Sequence, residues 1–360
     1  MDQEAPAGAR RPVTIHDVAL AAGVSVATVS KALNDQGSLR AETRARVIEA
    51  AARLRFHPNA LAQSLHRKRS FTVGLLSNDM YGRFTLPILA GVEHALAAHG
   101  VSVFLCSAGD DVGQERRHLD SLLGKRVDGL IVTARRIDAD FPAEPRDTGL
   151  PTLHVNLEAR APGALSLLPD DVEGARIGTA HLVALGRRII AHVTGPDSFR
   201  AVHLRIAGYR RALAEAGLPV PGDGPLHGSW SEAWGHAAVA RLFMPGHGQV
   251  GGRPDAIFCG SDQIGRGVAD ALRERGIQVP RDVALVGFDN WEVLAAATRP
   301  ALTTVDPNLH ALGVLAGATL LGMVDGARTT GGMPGGVPSG VQRSPCSLIV
   351  RQSCGGLASA

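Results

Sequence analysis

Residues Val13–Arg69 read VTIHDVALAAGVSVATVSKALNDQGSLRAETRARVIEAAARLRFHPNALAQSLHRKR, and their turn chemistry decides the fold at the N-terminal end of the 360-residue chain. Thr14 stands three residues before Asp17, the spacing of a capping box, and opens a helix that carries Val18, Ala19 and Ala22. Gly23 can take the positive φ that ends this helix, and Ser25 at once offers an oxygen to cap the next one, Val26–Leu33. In that second helix Val29 and Leu33 share a packing face, which leaves Val26, Ala27, Ser30 and Lys31 on other faces, free to enter a major groove. Asn34–Arg40 is turn-like. Glu42–Phe56 has the period of a third amphipathic helix, with Val47, Ile48, Ala51 and Leu54 inward. A helix-turn-helix, a third helix and a short basic hinge follow.

Charge sets this segment apart. Residues 10–70 hold eleven Lys and Arg against four acids, a local +7; with Asp2 and Glu4 ahead of them, residues 71–360 carry −2 of the whole-chain +3. A basic head on a nearly neutral body fits a polyanion held at one end through phosphate contacts. Arg44, Arg46, Arg53 and Arg55 taken alone would equally solvate a helix face.

Beyond Ser70 short apolar runs alternate with helical periods. Phe71–Leu76, Val101–Cys106, Val127–Val132 and Thr152–Val155 read as strands, with helices Leu86–His99 and Gly113–Leu123 between the first three, the signature of a parallel α/β sheet. A second series follows, Ile189–Thr194, Pro225–Gly228, Ala256–Cys259 and Val283–Val286, with helices at Val172–Ala184, His203–Ala216, Ser231–Leu242 and Ile264–Arg275. Two similar lobes are implied. The length also exceeds what one core usually covers. GGMPGGVPSG, Gly331–Gly340, reads as a flexible linker before a last strand at Ser347–Val350.

Other classes fare poorly. No continuous apolar stretch of about 18 residues stands out, and MDQEAPAGARR lacks a signal-peptide apolar core, so a cytoplasmic protein without a membrane partner is expected. Cys106, Cys259, Cys346 and Cys354 are scattered without CxxC spacing and read as reduced structural thiols. The fourteen histidines, His181 and His192 among them, form no HExxH pair, so no metal is expected. Gly124–Lys125 lacks the flanking residues of a phosphate loop, and no GxSxG elbow occurs; neither an enzyme nor a cofactor is expected.

TIHDVALAAGVSVATVSKALN, followed by HPNALAQSLHRKRSFTVGLL, resembles the lactose-repressor (LacI/GalR) family of bacterial transcription regulators. The likeness continues through GVEHAL, VDGLIV, HLVALGRRIIAHVTGP, LRIAGYRRALAEAGL, PDAIFCGSDQIGRGVADAL, VPRDVALVGFDN and PALTTVD. An ordered series of this length is far more specific than one helix-turn-helix. The resemblance implies an N-terminal all-α helix-turn-helix head with a hinge helix, followed by an α/β two-lobed periplasmic-binding-protein-like core. The expected divisions are a disordered tail over residues 1–12, the head over 13–57, hinge helix and linker over 58–70, and the core over 71–354. Lobe 1 would comprise 71–169 and 306–324, and lobe 2 170–303 with the C-terminal strand. A Gly-rich linker would span 326–344. Crossovers are expected near Leu168–Asp171, near Thr303–Pro307 and after Val324.

The candidate DNA contacts are Thr14, Ser25, Val26, Ala27, Thr28, Ser30, Lys31 and Asn34 in the head, with Asn59, Ala62 and Leu65 in the hinge. The family implies that Ala60–Leu65, too short to be a stable helix alone, folds on operator DNA as a dimer and wedges Leu65 into the minor groove. Ligands of open α/β sheets bind outside the C-terminal strand ends, which selects Arg83, Phe84, Thr133–Arg136, Asn156, Trp230, Ser261 and Asp289. The resemblance adds Arg205 and marks Asp289 as effector-binding. The candidate effector set is Phe84, Arg135, Asn156, Arg205, Trp230, Ser261 and Asp289: charged groups for vicinal hydroxyls and an indole for the apolar face of a sugar. An interlobe ion pair is the alternative for Arg205 and Asp289, and a core aromatic for Trp230.

The chain departs from its resemblance in places. Thr85 follows Phe84 where many relatives carry a second aromatic, and Ser261 stands beside Asp262 where Asn or Asp is common. Arg83, Arg135 and Arg136 add positive charge that suits an acidic or phosphorylated ligand, although solvated loop residues are the simpler account. No leucine heptads close the chain, so a homodimer rather than a tetramer is expected, on a pseudo-palindromic operator. The main expectation is a repressor controlled by a sugar; the alternatives are an extracytoplasmic-type sugar-binding protein and a non-catalytic regulator of an acidic or phosphorylated ligand.

Overall fold

The computed structural model describes residues 11, 13–33, 38–56, 69–141, 149–244, 252–329 and 339–356. Asn34, Asn59, Ala62, Leu65 and the expected hinge helix lie outside the described residues, as do residues 330–338 of the Gly-rich stretch. The chain divides into two compact units, residues 1–70 and 71–360.

In the first unit α1 (Ile15–Ala22), α2 (Val26–Leu33) and α3 (Ala41–Arg53) enclose a small core. The Asp17 carboxylate accepts from both the backbone N–H and the hydroxyl of Thr14 at 2.8 Å, and these bonds hold its pKa below the usual carboxylate range. Gly23 takes φ 64° at the end of α1, and Ser25 accepts from the Thr28 N–H at 3.2 Å to start α2. Val18, Val29 and Val47 are fully buried, with Ala19, Ala22, Ala32, Ala50 and Ala51 filling between them. Leu33 packs against the core as expected, with Ala32 buried beside Val29. Two expectations need correction. Val26, read on another face, also leans against the core. In α3 the inward stripe is Val47, Ala50, Ala51 and Leu54, an i, i+3, i+4, i+7 series. Ile48, about 100° around the helix from Val47, is 51% exposed.

The second unit holds two six-stranded sheets. In the first, β1 (Thr72–Ser77), β2 (Ser102–Ser107), β3 (Gly129–Thr133), β4 (Thr152–Val155), β5 (Leu165–Pro169) and β11 (Gly340–Ser344) run parallel in the order β11-β5-β4-β3-β1-β2. Strand alternation divides its side chains. Val73, Leu75 and Ile131 meet α4 (Thr85–Ala97) and α11 (Leu309–Thr329), while Leu76, Leu130 and Val132 meet α5 (Val112–Gly124). In the second sheet β6 (Ile190–Thr194), β7 (Leu226–His227), β8 (Ala256–Cys259), β9 (Ala284–Phe288), β10 (Thr303–Asp306) and β12 (Ser347–Ile349) take the order β12-β10-β9-β8-β6-β7, with only β12 antiparallel to its neighbour. One face carries α8 (Glu232–Leu242) and α9 (Asp262–Glu274), the other α6 (Asp171–Ala184) and α7 (Arg200–Glu215); α10 (Glu292–Ala295) is a single turn.

The lobe divisions need adjustment. Leu165–Pro169 is a strand of the first sheet, unrecognised in the sequence, and Thr303–Asp306 is a strand of the second before the chain crosses back. The 326–344 linker is shorter than expected: α11 runs to Thr329, and Gly340–Ser344 pairs with β5 as an edge strand. The third crossover, expected after Val324, lies between Ser344 and Ser347. Within α11, Leu309–Ala327 is long and apolar enough by composition to span a membrane, although His310, Thr319 and Asp325 interrupt it and no continuous apolar run results. Leu312, Ala316, Leu320 and Val324 on it are buried against the first sheet, as in the core helix of a globular protein.

Candidate functional site

The C-terminal ends of both sheets face a common cleft, where a cavity of about 300 Å3 is lined by residues of both lobes. Small-molecule sites run from roughly 300 to 1,000 Å3. From the first lobe come Arg83 and Phe84 before α4, Arg135, Arg136, Ile137 and Asp138 after β3, Asn156 after β4, Pro169, and Leu309 at the start of α11. From the second come Asp171, Phe199, Ala201, Arg205, Trp230, Ser261 and Asp289. All seven candidate effector residues line this one cavity.

Each is fixed by local bonding. Asp79 accepts from the N–H groups of Phe84 at 2.8 Å and Thr85 at 3.1 Å, which sets the start of α4. Thr85 is 1% exposed and bonds the Ser77 hydroxyl at 2.7 Å, so it supports the cavity wall without lining the cavity. Asn156, at φ 55°, donates its amide to the Ala134 carbonyl at 2.7 Å. Ser261 caps α9, accepting from Ile264 N–H at 3.3 Å. Trp230 is half-buried, edge-on to Phe199 with ring centres 5.8 Å apart, and packs against the second lobe's core.

A chain of charges crosses the cavity. Arg205 on α7 donates from Nε to Asp171 at 2.7 Å and from Nη1 to the Gly260 carbonyl at 2.6 Å, reaches Asp289 through Nη2 at 3.3 Å, and lies 3.7 Å over the Phe288 ring. Burial alone would lower its pKa, but the carboxylates of Asp171 and Asp289 outweigh that and raise it, so the guanidinium stays charged. Arg205 and Asp289 thus pair within one lobe. Arg83 pairs with Asp289 across the lobes, as Arg200 does with Glu158, and Arg83 also donates to Gln263 at 3.2 Å. Behind it Asp262 accepts from Trp291 N–H at 2.6 Å and from the Thr304 hydroxyl at 2.5 Å; burial, then the charge of Asp289, pushes its carboxyl up to about 7.

The arginines expected to be solvated divide. Arg135 is, with half its side chain exposed beside an exposed Asp110 at 3.0 Å. Arg83 is not: its side chain is 16% exposed. Arg136 grips Asp138 through two bonds of 3.1 and 2.9 Å and stacks 3.8 Å over Phe199 of the other lobe. Asp171 and Phe199 were not singled out in the sequence. Asp171 follows β5, and the strand-end rule would have selected it had that strand been recognised.

In the head, Ser25, Ala27 and Lys31 are exposed, whereas Val26, Thr28 and Ser30 are half-buried. Thr14 is half-buried with its hydroxyl on Asp17. Among the described residues no group of three or more His, Cys, Asp or Glu gathers where a metal ion would sit. His192 is buried between Tyr209 and Phe258 and donates from Nδ1 to the Phe258 carbonyl at 2.9 Å; burial lowers its pKa to about 4. All four cysteines are free.

Residues 14–59 match the model of bacterial regulatory proteins of the lacI family, and residues 179–354 that of a periplasmic binding protein-like domain. The ribose operon repressor of Escherichia coli (strain K12) is 34% identical over 306 residues, 84% of this chain and 90% of that protein. The chain belongs to the lacI family. Catabolite control protein A of Priestia megaterium, another relative, is 31% identical over 84% of this chain and 90% of its own length. The crystal structure of the Lac repressor dimer bound to operator and the anti-inducer ONPF superposes with a TM-score of 0.75 at 29% identity, covering 96% of this chain and 99% of that one. At the level of the family, this lacI-family chain is a DNA-binding transcriptional regulator with a helix-turn-helix head and a two-lobed α/β core.

Proposed function

We propose that this chain is a cytoplasmic, homodimeric repressor that reads a pseudo-palindromic operator and is controlled by a carbohydrate held between the lobes of its core. The observation that carries the reading is the cleft itself, where Arg205 and Asp289 stand beside Trp230, Phe199 and Phe84. Charged groups supply directed bonds to hydroxyls, and aromatic faces cover the apolar side of a sugar ring. The printed names of similar proteins support it: a ribose operon repressor at 34% identity, and a CelR–cellobiose complex with a TM-score of 0.62 at 27% identity. Phe84, Arg135, Asn156 and Ser261 complete the proposed ligand shell.

For DNA, the proposed base contacts are Val26, Ala27 and Lys31, with Thr14, Ser25, Thr28, Ser30, Asn34 and Asn59 on the backbone and Ala62 and Leu65 at the central minor groove. Apolar contact suits thymine methyls, and lysine suits the guanine acceptors. Sequencing the genomic DNA that the purified protein retains should return one pseudo-palindromic motif. Lys31→Ala should then relax the preference at one base pair per half-site, at about 1–3 kcal/mol for that pair. Uniform weakening on every sequence would make Lys31 a phosphate contact instead, and retention of DNA without a shared motif would sink the operator reading.

A further inference from the structure

Arg83 leaves one buried donor unused. One terminal nitrogen donates to Gln263 at 3.2 Å, the other meets Asp289, and the buried Nε–H has no acceptor among the described residues. The guanidinium lies 4.7 Å from the centre of the Trp291 ring and 5.0 Å from that of Phe84, so its plane is held. Asp289 is no private counterion, since its second oxygen faces Arg205 at 3.3 Å. Around the cavity Arg83, Arg135, Arg136 and Arg205 stand against Asp138, Asp171 and Asp289, a surplus of one positive charge. Arg135, which makes the surplus, is half exposed, and its neighbour Asp110 lies outside the lining and is 70% exposed, so solvent screens that pair until a ligand covers it.

A neutral polyol would leave this surplus charge unmatched as the cleft excludes water. An anionic oxygen would offset it, and a guanidinium held between aromatic faces is the group that carboxylates and phosphates fit. We propose that the effector is a polyhydroxylated molecule bearing an anionic group, a carboxylate or a phosphate, and that Arg83 receives that group from the first lobe. The inference rests on the cleft being the effector site. Because Arg83 also pairs with Asp289 of the other lobe, the anion enters an existing interlobe contact, and its binding bears directly on how the two lobes are joined.

The test uses the full chain and matched trios of neutral sugar, sugar acid and sugar phosphate built on glucose, galactose and ribose, read by calorimetric titration and by thermal unfolding. At least one anionic member should bind roughly tenfold or more tighter than its neutral parent, the range of one charge-assisted hydrogen bond. Comparing the acid and phosphate arms tells which anion is taken. Arg83→Met should abolish that preference and Arg83→Lys should retain part of it; Arg83→Gln gives a second reading if circular dichroism shows the Met variant to be unfolded. A neutral parent that binds as tightly as its anionic partners would overturn the inference and leave the carbohydrate reading standing. Preference unchanged in Arg83→Met would remove Arg83 from the role. Binding by no member of any trio would overturn both readings.

Discussion

Alanine in place of Arg205 is expected to lower the unfolding free energy of the core by roughly 3–5 kcal/mol, because removing one partner of a buried ion pair leaves the other charge uncompensated. Asp171, with 3% of its side chain exposed, would lose its bond from Arg205, and Asp289 would keep only Arg83. The Gly260 carbonyl, which closes β8, would lose its 2.6 Å donor as well. Urea denaturation followed by tryptophan fluorescence measures the change. A loss under about 1 kcal/mol, the size of an exposed pair, would mean that Arg205 holds the lobe together far less than its bonding implies. Its part in ligand binding is therefore better read from substitutions at Asp289.

Gly267→Ala should cost about 1–3 kcal/mol or more even though alanine is the better helix former, since overpacking outweighs propensity at a close contact. Gly267 sits in α9 where a Cβ would come within 1.9 Å of the Glu232 carbonyl oxygen, a backbone atom that no rotamer change can move aside. Glu232 is the first residue of α8, two residues after Trp230, so the strain would be passed to the aromatic wall of the cavity. Thermal unfolding and the ligand titration should both register it. A variant as stable as the native chain, with unchanged ligand affinity, would show that α8 and α9 separate at little cost and that their spacing does not fix Trp230.

Much of this was legible in the sequence where local chemistry and the final fold agree. Thr14 with Asp17, Gly23 and Ser25 specify the turn by capping and by positive φ, both properties of a few adjacent residues. The strand-end rule gathered Phe84, Arg135, Asn156, Trp230, Ser261 and Asp289 from across the chain because parallel strands direct their following loops to one side. What stayed hidden has physical causes. Gly340–Ser344 reads GVQRS and sits at a sheet edge, where little apolar surface is buried and so little hydrophobic pattern is required. In α3 the larger Ile48 drew the inward assignment, while the short approach of three small helices favoured Ala50. Arg83 and Asp289 are 206 residues apart, and nothing local in either segment marks them as partners. A basic loop residue looks solvated until the opposite lobe is brought to it.

On the proposed function, a molecule bound between the lobes alters the grip of the head on DNA. Coupling of this kind is reciprocal and commonly amounts to about 1–3 kcal/mol, or roughly 5–150-fold in affinity. The direct measurement is a fluorescence-anisotropy titration of an operator fragment recovered from genomic DNA, with and without the tightest-binding sugar derivative, for the native chain and for Asp289→Asn. The native chain should show a ligand-dependent change of operator affinity within that range, and Asp289→Asn a change below about twofold at the same ligand concentration. An operator affinity that the bound ligand leaves unaltered in the native chain, or an undiminished response in Asp289→Asn, would contradict the proposed function.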